Sequence, residues 1–299
     1  MSQITLLDGS IGQELVHRHG KKPTPLWSSF VMLEDPSKVR ALHEDYYAAG
    51  ATVATANSYP VLPDRMAENG VPEQLEPLLK AAGSAARAAT DANGQGRVIG
   101  ALGPLGASYR TDFTHGLADA EAGYGPVIGT LEPYVDVFLA ETVTSLNQLR
   151  NTLHATATLS DKPTWIALSV DDDDGTRLRS GEALSDALPL LQAPHVTAAL
   201  INCSRPEAVT QAMPILAQLG KAFGGYANGF VEISAGFLED KPTVDTLSAR
   251  QDLSPEVYAA HAMDWIAEGA TMVGGCCEVG PAHIAEIARR LRADGHTLI

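Results

Sequence analysis

The chain has 299 residues, 45% hydrophobic and 19% charged, a globular balance that argues against disorder and is enough for a large core without staples. Its 36 acidic residues against 21 Lys and Arg leave a net charge of −15, which disfavours nucleic acid and anionic lipid and leaves neutral or cationic small substrates open. Three cysteines, two of them adjacent, make no disulfide framework and fit a reducing compartment.

The opening residues carry no basic segment ahead of an apolar one, and no run of about 20 apolar residues occurs, so a cytoplasmic chain with no membrane span is expected. Eight short apolar runs then recur. Residues 4–7 end at Asp8-Gly9, residues 52–56 at Asn57-Ser58-Tyr59, residues 97–102 at Gly103-Pro104, and residues 135–140 at Glu141-Thr142. Residues 164–170 end at the acidic run 171–174, residues 197–201 at Asn202-Cys203-Ser204, the glycine-rich residues 222–226 near Asn228, and residues 270–273 at Gly274-Gly275-Cys276-Cys277. Runs without polar alternation read as strands buried on both faces, as in a parallel sheet.

Helical segments lie between them. Asp35-Pro36 opens one that Gly50 closes, Thr144 can cap another, Ser254-Pro255 opens a third that ends at Gly269, and Pro281 opens the last, with Ile284, Ile287 and Leu291 at helical spacing. The glycine-rich residues 106–129 read as a loop above the sheet. Eight alternations of strand and helix predict an α/β fold, a single (β/α)8 TIM barrel in one domain over residues 1–299; an open doubly wound sheet is the second choice.

Barrel active sites sit at the C-terminal ends of the strands. Here those ends gather Asp8, Asn57, Glu141, Asn228 and all three cysteines, Cys203, Cys276 and Cys277. Three thiolates on one rim suit Zn2+ with a fourth position open; buried free cysteines are the plainer alternative. Sulfur ligands weaken the Lewis acidity of zinc and keep a bound substrate sulfur electron-rich, which favours alkyl transfer to a thiol over hydrolysis.

In Leu7-Asp8-Gly9, Asn202-Cys203-Ser204 and Gly274-Gly275-Cys276-Cys277, and in Pro25-Leu26-Trp27-Ser28, Glu141-Thr142 and Pro281, the chain resembles the homocysteine S-methyltransferase family over residues 4–292. The resemblance implies zinc held by Cys203, Cys276 and Cys277, with the homocysteine thiol as fourth ligand. It also implies that Asp8 and Glu141 bind the substrate ammonium and that the backbone of Gly9 and Ser10 meets its carboxylate. The chain departs from many relatives at Ala140, where they have Cys, and at Glu278-Val279-Gly280, where they have Thr-Thr-Pro; Glu278 is expected to face water. The run 171–174 is expected to be a solvated loop, and His17, His19 and His283 show no zinc-site spacing.

The methyl donor implied is an onium compound, with S-methylmethionine or S-adenosylmethionine ahead of glycine betaine or a thetin, and methionine as product. Trp27 and Tyr59 are the aromatic candidates to face its cation. Two other classes stay open: a barrel that binds zinc or a ligand without turnover, and a lyase. The lyase lacks a lysine at any predicted strand end to form a Schiff base. No dinucleotide motif supports a nucleotide cofactor. The partners expected are small molecules, with oligomeric state left open.

Overall fold

The computed structural model describes residues 1–20, 24–112, 115–233 and 247–299. Along them run β1 (Gln3–Leu6), α1 (Ile11–His19), α2 (Ser29–Glu34), α3 (Ser37–Ala49), β2 (Val53–Ala56), α4 (Pro63–Glu68), α5 (Leu75–Asn93), β3 (Arg97–Leu102), α6 (Leu117–Leu131) and β4 (Val137–Val143). Then follow α7 (Leu146–Leu159), β5 (Thr164–Leu168), α8 (Leu188–Leu191), β6 (Val196–Asn202), α9 (Pro206–Leu216), β7 (Ala222–Tyr226), α10 (Pro255–Ala267), β8 (Met272–Val273), α11 (Pro281–Ala293) and β9 (Thr297–Leu298). Proline opens α4, α9, α10 and α11, where its missing N–H has no intrahelical partner to lose. No helix among the described residues is long and apolar enough to cross a membrane.

The strands pair in parallel in the order β2-β3-β4-β5-β6-β7-β8-β1-β9. The seam between β1 and β2 is closed by Thr52, whose N–H donates to the Leu6 carbonyl at 2.8 Å and whose Oγ1 accepts the Leu6 N–H at 3.1 Å. Eight strands thus curl into the expected (β/α)8 barrel. The ninth, unforeseen in the sequence, adds to the outside of β1 through Gln3↔Thr297.

Period-two alternation sorts each strand between two cores. Val53, Ile99, Trp165, Ala198 and Leu200 point into the barrel, while Val98, Ile166, Ala199 and Ile201 pack outward under the helices. Both faces are buried, which is why the runs lack polar alternation. At the N-terminal end the Arg97 guanidinium stacks 5.0 Å from the Trp165 ring and donates to Thr5 Oγ1 at 3.0 Å.

Residues 106–129 are only partly the loop expected: α6 begins at Leu117, with Ala120, Tyr124, Val127, Ile128 and Leu131 on its buried side. Gly123 lets the Leu105 side chain pack close, since an added Cβ would lie 2.7 Å from Leu105 Cδ2. α7 is capped by Ser145, whose Oγ accepts the Gln148 N–H at 3.2 Å, and not by Thr144. The acidic run is less solvated than expected, because Asp172 is 13% exposed and pairs with Arg179 at 3.0 Å.

Candidate active site

A cavity of about 210 Å³ opens among the C-terminal ends of the strands. Of the residues picked from the sequence it brings together Asp8, Gly9, Ser10, Trp27, Asn57, Tyr59, Glu141, Cys203, Cys276 and Cys277, while Asn228, just past β7, is outside its lining.

Asp8 follows β1 and is 3% exposed. Its Oδ2 accepts the Thr55 N–H at 2.6 Å and its Oδ1 the Thr55 hydroxyl at 2.7 Å. Burial outweighs these bonds and pushes its pKa up to about 7. Glu141, inside β4, accepts a hydrogen bond from the Tyr226 hydroxyl at 2.8 Å. Burial first and the Cys203 charge second push its pKa up to about 8. Two carboxylates beside one cavity, Asp8 buried and Glu141 half-buried, are poised to gain from an arriving ammonium.

Cys203 follows β6, and Cys276-Cys277 follow β8. Cys276 and Cys277 beside it push the Cys203 thiol well below the ordinary thiol value, and Cys203 in turn pushes theirs up. No group of three or more His, Cys, Asp or Glu among the described residues stands in a ligand set's arrangement. Their shared place on the cavity wall brings the three cysteines together, and a ligand set additionally requires the sulfurs to surround a centre. As a donor set, three soft sulfurs fit a thiophilic divalent ion such as zinc.

The cysteines are placed by their surroundings. Asn202, fully buried, donates from Nδ2 to Cys203 Sγ at 3.4 Å and accepts the Thr142 N–H on Oδ1 at 3.0 Å. Arg179 Nη2 donates to the Cys203 carbonyl at 2.9 Å and to Asp172 Oδ1 at 3.0 Å, while its Nε donates to Ser169 Oγ at 2.7 Å. The same guanidinium lies 4.9 Å from the Tyr109 ring centroid. Gly274 and Gly275 let the double-cysteine turn fit against its neighbours, because an added Cβ would meet Leu7 Cβ at 2.4 Å or Val279 Cγ1 at 2.1 Å.

Five described non-glycine residues have left-handed backbone: Trp27, Tyr109, Thr142, Cys203 and Glu278. Four line the cavity and the fifth follows Cys277. Such conformations persist only where surrounding contacts enforce them.

Trp27 and Tyr59 form an edge-to-face pair on the wall, with ring centroids 6.0 Å apart. Trp27 Nε1 donates to Gln13 Oε1 at 3.3 Å and Tyr59 Oη bonds Ser108 Oγ at 2.7 Å. Asn57 Oδ1 accepts the Ser28 hydroxyl at 2.8 Å, while its buried Nδ2 has no partner among the described residues and is available to a ligand.

Two expectations need correction. The Ser10 N–H donates to the Val279 carbonyl at 2.9 Å and the Ser10 carbonyl accepts the Tyr46 hydroxyl at 2.9 Å, so the Ser10 backbone is already engaged. The open donors nearby are the first-turn amides of α1, which has no side-chain cap. Glu278 does not face open water: its side chain is 18% exposed and lies 3.8 Å from His17 Nε2. His283, as expected, is structural; its Nδ1 accepts the Gly280 N–H at 3.2 Å.

Sequence reasoning passed over Arg65, Tyr109, Arg179 and Tyr226. Only Tyr226, the last residue of β7, carried a positional signal.

The family model for homocysteine S-methyltransferase matches residues 5–291. The chain belongs to the homocysteine S-methyltransferase family. It is 29% identical to the homocysteine S-methyltransferase of Escherichia coli strain K12, covering 96% of this chain and 95% of that one. It is 27% identical to the homocysteine S-methyltransferase YbgG of Bacillus subtilis strain 168, with 97% and 95% covered. The crystal structure of the E. coli homocysteine methyltransferase MmuM in its metallated form superposes with a TM-score of 0.81 at 28% identity, over 97% of this chain and 96% of MmuM. In this family the cavity's pairing of thiols with buried carboxylates suits an amino acid that is itself a thiol.

Proposed function

We propose that this homocysteine S-methyltransferase is zinc-dependent and moves a methyl group from an onium donor, S-methylmethionine or S-adenosylmethionine, to the thiol of L-homocysteine, giving methionine. What supports this is the meeting of Cys203, Cys276 and Cys277 with Asp8 and Glu141 in one cavity. Cys203, Cys276 and Cys277 would hold the zinc, as the metallated E. coli relative encourages. Zinc, when bound, favours the deprotonated form of a ligating thiol, so that the substrate sulfur is nucleophilic at neutral pH.

The chain's own residues do the rest. Asp8 and Glu141 take the homocysteine ammonium; the Tyr226 hydroxyl occupies one oxygen of Glu141 and leaves the other for substrate. The uncapped first turn of α1, beside Gly9, receives the carboxylate through its amides. Trp27 and Tyr59 present ring faces to the donor cation. A new sulfur–carbon bond then forms on homocysteine as the donor's bond to that methyl breaks. The electron pair of the broken bond stays on the donor, which leaves neutral at that atom, and the thiol proton goes to solvent. No acid or base is needed at the carbon, so the residues contribute by position and by excluding water.

The test is metal analysis and a donor panel on one preparation. Cys203→Ala and Cys277→Ala should each lose bound zinc and homocysteine methylation while circular dichroism stays native. Full activity in either variant, or activity in a wild-type sample free of zinc, overturns the zinc-dependent reading.

A further inference from the structure

We propose that Arg65 recognises a carboxylate on the methyl donor, so that the cavity selects zwitterionic onium compounds over bare ones. This rests on the methyltransferase reading above and adds a specificity residue to it. Among the described residues that line the cavity, Arg65 is the one Lys, Arg or His. Asp8 and Glu141 are committed to the homocysteine end in that reading, and Glu68, one turn along α4 from Arg65, is the third carboxylate on the wall; among the described lining residues, Arg65 is the cationic partner that a second carboxylate entering the cavity would meet.

Arg65 is held in place on α4. Its Nη2 donates to the Pro104 carbonyl at 3.1 Å and to Ser108 Oγ at 3.5 Å, and its Nη1 to the Tyr59 carbonyl at 3.4 Å. Its Cζ sits 5.3 Å from the Tyr59 ring centroid. These partners are carbonyls, a hydroxyl and a ring, none of them anionic, and a planar five-donor guanidinium retains capacity for a carboxylate.

The stacking has a second consequence. Tyr59 belongs to the aromatic pair that would face the donor cation, yet its ring already carries a cation. A sulfonium brought to this wall meets a like charge in a partly dry cavity, where such repulsion is weakly screened. A donor that carries its own carboxylate cancels the repulsion by pairing with Arg65. A bare sulfonium cannot, and is rejected by the same residue that welcomes the zwitterion.

The discriminating pair is S-methylmethionine and its decarboxylated analogue, identical apart from the carboxylate, assayed on zinc-loaded wild type, Arg65→Met and Arg65→Lys. Wild type should prefer S-methylmethionine in both kcat/KM and calorimetric binding. Arg65→Met should lower kcat/KM for S-methylmethionine by about tenfold to a hundredfold. The decarboxylated analogue should be unchanged or improved, and the homocysteine KM unmoved; Arg65→Lys should recover part of the preference. Equal losses on both donors, or equal binding of both by wild type, would overturn the assignment. Because binding is read without turnover, a protein that binds S-methylmethionine in an Arg65-dependent way but methylates homocysteine with no donor sinks the methyltransferase reading and leaves the carboxylate site standing.

Discussion

Asp8 is buried and Glu141 half-buried, with no cation paired to either among the described residues, and their raised pKa values of about 7 and about 8 express that cost. Homocysteine brings the missing positive charge, but only ionised carboxylates attract it strongly. As pH rises through about 7, the homocysteine KM should therefore fall. Glu141→Gln should raise that KM by about tenfold to a hundredfold, with zinc content unchanged. An unchanged KM would remove Glu141 from substrate binding. These two residues were legible in sequence because each ends or lies at the end of a predicted strand next to a recognisable motif. Arg65, Tyr109 and Arg179 were not. Arg179 sits in the loop after β5, and nothing local announces that its guanidinium will reach the Cys203 carbonyl and the Tyr109 ring. Tertiary contacts of that kind leave no periodic trace in a single chain.

At the scale of elements, the double-cysteine turn after β8 depends on glycine for space. Gly275→Ala would set a methyl 2.1 Å from Val279 Cγ1, on the segment that also supplies the carbonyl accepting the Ser10 N–H. Overpacking of this kind typically costs about 1–3 kcal/mol. We expect a lower urea midpoint together with weaker zinc retention against a chelator, since the Cys276-Cys277 backbone must shift to admit the methyl. A variant with native midpoint and native zinc retention would show that the turn has slack. The elements themselves were readable where burial is two-sided, as in β3 to β6, whose apolar runs match the observed strands to within a few residues. α6 escaped because Gly123, Gly125, Gly129 and Pro126 dilute its helical signal, while its buried side is recognisable only once Leu105 and Gly103 are in place; the Tyr124 hydroxyl donates to the Gly103 carbonyl at 3.0 Å. β9 holds two residues, too few for a periodicity to register.

For the whole molecule, the barrel places its charged chemistry where folding least favours charge. Asp8 lies buried just past the C-terminal end of β1, and its folded pKa of about 7 stands above its ordinary value of 3.8. A group raised in this way contributes stability below its unfolded pKa, and that contribution is lost as pH climbs through the folded value. Between about pH 4 and pH 8 the substrate-free protein should therefore lose on the order of 4 kcal/mol from this residue alone. Asp8→Asn keeps the shape and removes the titration. The stability of the variant relative to wild type, from urea unfolding at a series of pH values, should rise steadily across that window and level off above it. Saturating homocysteine should restore wild type at high pH and do much less for the variant, because the ammonium repays only a real charge. A stability difference that stays flat with pH would mean that Asp8 is already compensated in the empty barrel, and that the carboxylate was never held in reserve for substrate.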